Sequence, residues 1–327
     1  MRPPDRPARL VLAATFAAFI AGGCGPVARD AAARALTREG ELEDQGWTRT
    51  YRLHVPPGPH GPLPLLVVLH GGGGSGAQIE EVSGFSGIAD REGFVVVYPD
   101  GIAGAPHGFA RAWNSGDCCG VGHLLGVDDV RFLRALVVDI ERRIPIDRDR
   151  VFVAGWSNGA ALAYLAGMRL ADLVAGIGPY AASMRARGPL EAPRFDAPVP
   201  TPPVSVFAVH AKADPRVPYA GRDDGDTVEV PFREAGRFWA VAAGCTGRAA
   251  PRYERDGAVR FDEYRGCKRG AEVTFVTLEG WGHDWPGPAY TDRLPPAHPL
   301  RGWDVAEAMW AFFAKHGRGG TGRAIAK

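Results

Sequence analysis

Several scarcities narrow the class of this 327-residue chain before any motif is read. Net charge is almost absent, since 38 Lys and Arg against 37 Asp and Glu leave +1 at neutral pH. No long-range field therefore draws nucleic acid or an anionic polymer, and a neutral or weakly charged substrate is expected. Long apolar runs are missing too. The stretch at residues 10–21 is too short for a stable bilayer span, but it follows Arg2, Arg6 and Arg9 and leads into small residues ending at Cys24. That is the layout of a signal peptide over residues 1–24, and it predicts export to the periplasm, the membrane surface or the medium of a bacterium. Cys24 stands where a lipoprotein carries its lipid anchor, although Ala21 replaces the usual leucine, so anchored and simply secreted forms both remain open.

Cysteine is scarce as well, with five in all and no Cys/His spacing that resembles a zinc site. Beyond Cys24 there are Cys118, Cys119, Cys245 and Cys267, which allow three pairings. An exported chain permits disulfides. Cys245 and Cys267 flank a polar, glycine-punctuated excursion that a bridge would close, whereas the adjacent Cys118 and Cys119 form a vicinal bridge or stay reduced. Internal repeats and a second domain are also absent. What remains, at 46% hydrophobic residues, is enough to bury a large core.

The most informative stretch is VFVAGWSNG, residues 151–159. A short apolar run enters it and an Ala- and Leu-rich segment leaves it, so Ser157 sits where a buried strand turns into a helix. Gly155 and Gly159 complete G-x-S-x-G, a turn so sharp that side chains two residues either side of the serine would not fit. In a chain with 44 glycines the pentapeptide arises easily by chance; its strand-to-helix setting is what makes Ser157 a candidate nucleophile.

Around it the chain alternates buried strands with helical segments. Residues 25–45 read as a linker, residues 46–317 as the folded domain and residues 318–327 as a disordered tail. Residues 65–69 are a continuous apolar strand running into His70 and a glycine run, and residues 94–98 are the next. A long loop at 99–126 holds Trp113 and Asn114. Asp128 and Asp129 open the clearest helix, whose stripe is Val130, Leu133, Val137, Ile140 and Ile144. Further strands are expected at 173–177, 204–209 and 273–278, with helices at 231–243 and 305–316 and a small proline-rich cap at 188–203. The pattern predicts an α/β fold, a mostly parallel sheet with helices on both faces.

A serine hydroxyl needs a base, and a histidine base needs an acceptor to set its tautomer. Asp214 follows the 204–209 strand directly, and His283 follows the last strand in GWGHDW. The resulting order Ser, Asp, His is that of an α/β-hydrolase. Asp223, Asp224 and Asp226 are rival acids, and Asp214-Pro215 is equally a turn initiator. His70 and His210 read as backbone-positioning groups. The N–H of Asn158 and one from the glycine run, Gly72 first and Gly71 or Gly73 as rivals, are the candidate oxyanion donors. A phosphate loop is disfavoured because the run lacks the Lys-Ser/Thr of a P-loop. Trp113, Trp156, Trp281 and Trp285 suit a flat or apolar acyl group, or simply fill the core.

Together LVVLHGGGGSG, YPDG, WNSGDCCG, VDDVRFL, GWSNGA, HAKADPRVPY and GWGHDWPG resemble the polyhydroxybutyrate depolymerase and feruloyl or acetylxylan esterase group of secreted α/β-hydrolases, over residues 51–313. The resemblance implies a serine esterase with Ser157, Asp214 and His283 as triad. It also implies substrate contacts from Trp113, Asn114 and Trp281. The expected substrate is a small-molecule or polymer-linked ester, handled by a monomer with no cofactor and no metal. The glycine run departs from the HGC form of some polymer depolymerases, and no polymer- or carbohydrate-binding module follows, so ester hydrolysis follows more directly than attack on insoluble polymer. A serine peptidase of prolyl-oligopeptidase type and a non-catalytic binding protein are the rival readings; the first usually carries a propeller, and an intact Ser, Asp and His argues against the second.

Overall fold

The computed structural model describes residues 36–58, 61–104, 109–116, 118–187, 199–223, 225, 227–318 and 320–321. The signal segment, Cys24, most of the proline-rich cap and residues 322–327 lie outside them. At the centre is an 11-stranded sheet. Its principal strands are β1 (Leu36–Asp44), β2 (Trp47–Val55), β3 (Leu63–Leu69), β4 (Val95–Pro99), β5 (Ile146–Trp156), β6 (Gly176–Tyr180), β7 (Ser205–Ala211), β8 (Val259–Arg265) and β9 (Val273–Leu278). They run in the order β1-β2-β4-β3-β5-β6-β7-β9-β8. From β4 through β9 every neighbouring pair is parallel, and the edges at β1, β2 and β8 are antiparallel.

Among the described residues, six helices of eight or more residues cover the sheet: α1 (Gly76–Ser83), α2 (Phe85–Glu92), α3 (Asp129–Glu141), α4 (Asn158–Arg169), α5 (Phe232–Ala242) and α6 (Val305–Phe313). Strand β3 shows why its sequence is apolar without a break. Leu65, Val67 and Leu69 enter one core with Leu133 of α3, Leu162 of α4 and Trp239 of α5. Leu66 and Val68 enter the other with Ile79, Phe85 and Trp310 from α1, α2 and α6. Alternate side chains meet opposite faces, so both sets must be apolar. The α3 stripe is buried at Val130, Leu133, Val137 and Ile140, and Asp128 caps the helix by accepting the Arg131 N–H. Since β3, β5, β6, β7 and β9 are parallel, their C-terminal ends share one edge of the sheet, and the chain leaving each end arrives at the same place.

Several expectations shift. Residues 36–44 are not linker but strand β1, paired residue for residue with β2 across Gln45-Gly46. Both turn residues have positive φ, 54° and 77°, as a two-residue hairpin turn requires. The strand escapes a search for apolar alternation because backbone pairing, not burial, makes it; among its residues Leu42 packs on the core. Strand β6 begins three residues later than the sequence suggests, at Gly176. The 99–126 segment contains a small hairpin, Ile102–Gly104 with Phe109–Ala112, and a short helix, Gly120–Leu124. In the expected tail, Gly320–Thr321 pairs with His316–Gly317. The cysteines pair as Cys118–Cys119 and Cys245–Cys267, the latter closing the antiparallel excursion that contains β8.

Candidate active site

Strand β5 delivers Ser157 to helix α4 through a turn that only this sequence pattern tolerates. A Cβ on Gly155 would meet the Gly159 carbonyl oxygen at 2.4 Å, and one on Gly159 would meet the carbonyl oxygens of Leu69 and His70 at 2.5 Å. Both positions exclude any side chain. Ser157 itself has φ 55° and ψ −118°, outside the usual regions for a residue with a Cβ. Two backbone bonds hold it there: its N–H donates to Tyr180 O at 2.9 Å, and its carbonyl accepts the Ala161 N–H at 3.0 Å. Strain confined to one residue by surrounding bonds is a frequent mark of a functional site.

The loop after β9 brings His283 to this turn. Its Nε2 lies 2.9 Å from Ser157 Oγ and its Nδ1 2.7 Å from Asp214 Oδ2. The carboxylate partner implies a proton on Nδ1, which leaves Nε2 to accept from the serine. Asp214 is 8% exposed and divides its oxygens between two tasks. Oδ1 accepts the N–H groups of Arg216 and Val217 at 2.8 and 3.0 Å, making the turn that Asp-Pro suggested, while Oδ2 faces His283. Burial alone would push its carboxyl up, but hydrogen bonds from His210, His283 and those two N–H groups outweigh it and hold the group well below the usual carboxylate range. The turn reading and the acid reading of Asp214 are thus compatible. Of its rivals, Asp223 is exposed in a short strand and accepts the Gly225 N–H, and Asp224 and Asp226 lie outside the described residues.

The glycine run lies directly on the serine turn. A Cβ on Gly71 would sit 3.5 Å from Ser157 Cβ, and one on Gly72 would sit 3.8 Å from Asn158 Cβ. Gly73 donates its N–H to Arg111 O at 2.7 Å and Gly74 to Gly71 O at 3.0 Å. Gly73 is thereby removed from the donor candidates, and Gly72, exposed and against Asn158, stays. His70 is fully buried: Nε2 accepts the Gly101 N–H at 2.9 Å and Nδ1 meets Gly71 O at 2.7 Å. Burial pushes its imidazole down to about 4, so it is neutral over the working range of an esterase.

The tryptophans separate by environment. Trp113 is 0% exposed, and its indole N–H donates to His70 O at 2.9 Å. A side chain so enclosed cannot meet a substrate, which corrects the expected contact. Asn114 is half-buried with its amide engaged within its own loop; Nδ2 donates to Val127 O at 2.7 Å, and Oδ1 accepts the Gly116 N–H. Trp281 is 9% exposed with its N–H on Asp284 O at 2.7 Å, and Trp285 is in the core. Trp156 alone of the four tryptophans near the serine is half-buried, with its indole N–H on His283 O at 2.8 Å.

Of three further supports, sequence reasoning missed Tyr180 and Asp129 and read His210 as a backbone-positioning group, which its bond to Val217 O fits. Tyr180, at the end of β6, donates its hydroxyl to Asp284 O at 2.7 Å and so braces the histidine loop. His210 is 0% exposed, with Nε2 3.0 Å from Val217 O and 3.5 Å from Asp214 Oδ2. Asp129, next to the helix cap, is buried against Arg49 at 2.7 Å and accepts the Asn114 N–H at 2.7 Å. A signal existed for Tyr180, which closes a strand at the same edge of the sheet as Ser157; nothing local marks Asp129 as different from Asp128.

A strand–turn–helix serine at the C-terminal edge of a parallel sheet, backed by a histidine from the last parallel strand, belongs to an α/β-hydrolase. The protein is a carboxylic-ester hydrolase of that fold, and the chain belongs to the PHB-depolymerase esterases: the family described as "Esterase PHB depolymerase" matches residues 49–187. NocK of Nocardia uniformis subsp. tsuyamanensis, an esterase by name, is 31% identical over 82% of this chain and 79% of its own. Feruloyl esterase B of Piromyces equi is 31% identical over 67% of this chain but only 39% of its own length. Among solved structures, the acetyl xylan esterase from Aspergillus awamori superimposes with a TM-score of 0.53 at 14% identity, covering 78% of this chain and 97% of that one, a likeness of fold.

Proposed function

We propose that this protein is an exported serine esterase in which Ser157 is the nucleophile, His283 the general base and acid, and Asp214 the group that orients His283. The observation that carries the reading is the unbroken hydrogen-bonded line from Ser157 Oγ through His283 to Asp214, 2.9 and 2.7 Å long, at a turn with no room for side chains beside the serine. Ser157 Oγ attacks the ester carbonyl as its proton passes to His283 Nε2. The tetrahedral oxyanion rests on the N–H groups of Asn158 and Gly72, and its collapse releases the alcohol, which takes the proton back from Nε2. Water then repeats the cycle on the acyl-serine. Asp214 stays ionised throughout, since its carboxyl is held low, and it balances the imidazolium as that forms.

The half-buried Trp156 ring beside His283 offers the acyl group a flat wall, which favours feruloyl esters; acetyl esters of plant polysaccharide and hydroxybutyrate oligomers are the other members of the substrate class. The relatives named for feruloyl ester and poly(3-hydroxyalkanoate) hydrolysis support that range. Export follows from the segment at residues 1–24, with Cys24 as the site of any lipid anchor. Hydrolysis of a short nitrophenyl ester by the wild type and by Ser157→Ala tests the chemistry: the variant is expected to lose at least about a thousandfold in kcat, and retained activity would remove Ser157 from the mechanism. Methyl ferulate, acetylated xylan and hydroxybutyrate oligomers, compared by kcat/KM, then rank the substrates.

A further inference from the structure

The two oxyanion donors come from parts of the chain 86 residues apart, positions 72 and 158, and their mutual geometry has to be set by something. Each N–H belongs to a planar trans peptide, in which it points opposite to the carbonyl of the same unit. The unit that carries the Gly72 N–H has Gly71 O as its carbonyl. Two donors hold that oxygen, His70 Nδ1–H at 2.7 Å and the Gly74 N–H at 3.0 Å. His70 donates from Nδ1 because the Gly101 N–H occupies Nε2 at 2.9 Å, which settles the tautomer from its surroundings. The unit that carries the Asn158 N–H has Ser157 O as its carbonyl, and that oxygen makes the first bond of α4, to the Ala161 N–H. The direction of each donor is thus set by a bond on the far side of its peptide.

Their spacing is set by Trp113. The side chain of Asn158 clips its backbone at two points, Oδ1 accepting the Trp113 N–H at 2.8 Å and Nδ2 donating to Trp113 O at 3.0 Å. The indole N–H of the same residue then reaches His70 O at 2.9 Å. The neighbouring Asn114 N–H is tied to the buried Asp129, which Arg49 neutralises. These bonds close a circuit: Asn158 side chain, Trp113 backbone, Trp113 indole, His70 carbonyl, His70 ring, Gly71 carbonyl. We propose that His70, Trp113 and the side chain of Asn158 act together as positioning residues that hold the Gly72 and Asn158 N–H groups at the separation and angle an oxyanion requires. Donors fixed before the charge develops cost no reorganisation at the moment of reaction. The inference rests on the esterase reading above and concerns residues that do not themselves touch the reacting atoms through their side chains.

Asn158→Ala is the direct test, since it removes both clips and leaves the N–H in place. Kinetics on a nitrophenyl ester are combined with inhibition by a trifluoromethyl ketone, which becomes an oxyanion on Ser157, and by a neutral amide isostere of the substrate. The expected result is a fall in kcat of about tenfold or more with KM within about twofold, part of the ~100- to 1,000-fold that loss of a whole donor brings. The ketone should weaken by the same factor as kcat/KM, and the amide should not weaken. His70→Asn, which keeps a donor near Gly71 O, should retain more activity than His70→Phe; if the latter does not fold, as judged by thermal melting, Asn158→Ala still carries the test. Wild-type kcat in Asn158→Ala, or equal weakening of ketone and amide, would overturn the circuit. Ser157→Ala separates the two levels: if it stays active the esterase reading fails, and if it is inactive while Asn158→Ala matches wild type, only the circuit fails.

Discussion

Asp214 illustrates how one carboxylate serves local structure and chemistry together. One oxygen closes a turn with two backbone N–H groups and the other faces His283, so removing its charge should be felt in both rate and stability. In Asp214→Asn the amide would donate to His283 and favour the wrong tautomer, and kcat is expected to drop by about 10⁴. Stability follows by linkage. The folded-state value lies below the ordinary ~3.9 of an aspartate, so its contribution is complete above that pH and is lost as pH falls through the folded value. Melting temperatures from pH 7 down to pH 2 should therefore fall less steeply below pH ~4 in Asp214→Asn than in the wild type. His70 acts earlier and with the same sign. Its folded value, about 4, is depressed from about 6.5, so the unfolded chain takes up that proton first and the native state loses ground between those limits.

Among the secondary-structure elements, α6 carries an unusual start. Asp304 caps it by accepting the Ala306 N–H at 2.8 Å, yet the carboxyl is buried enough that its value rises to about 6, burial outweighing the bonds from Ala306 and Glu307. A raised carboxylate reverses the sign found for Asp214: the unfolded chain ionises first, so native stability declines as pH rises from about 4 to about 6. Asp304→Asn keeps an oxygen for the Ala306 N–H and has no charge to desolvate. It should melt higher than the wild type at pH 8, an advantage that shrinks to nothing or reverses at pH 4; equal pH dependence of the two melting curves would refute it. The turn between β5 and α4 shows the opposite kind of constraint. There the glycines were legible in the sequence, and carbonyl oxygens within 2.5 Å of any Cβ explain why.

For the whole molecule, the Cys245–Cys267 bridge, with a sequence separation of 22, ties the end of α5 to the outer edge of the sheet. A closed loop of this size limits the unfolded ensemble and contributes about 3 kcal/mol in the chain-entropy account. Cys245→Ala with Cys267→Ala is expected to lower the melting temperature by roughly 5–10 °C. Esterase activity at 25 °C should stay near wild type, because the bridge lies along β8, beyond the strand that leads to His283. A loss of activity at 25 °C without unfolding would show that the excursion reaches the site.

How much of this was readable in advance differs by kind of interaction. The parallel α/β architecture, the serine turn and the strand-end positions of Asp214 and His283 are written locally, in apolar runs that need cover on both faces and in glycines that a tight turn demands. Strand β1 was not, since of its residues only Leu42 packs on the apolar core, while its other constraints, the space Tyr51 leaves at Gly40 and the burial of Asp44, show no apolar period. The sequence by itself determined which residues stand at the C-terminal edge of the sheet. Only the tertiary structure decided which way they face: that Trp113 is enclosed, that the half-buried Asn114 spends its amide on Val127 O and the Gly116 N–H, and that Trp156 stays half in solvent. Packing density and the partner of each buried N–H make those choices, and both depend on chain segments far apart in sequence.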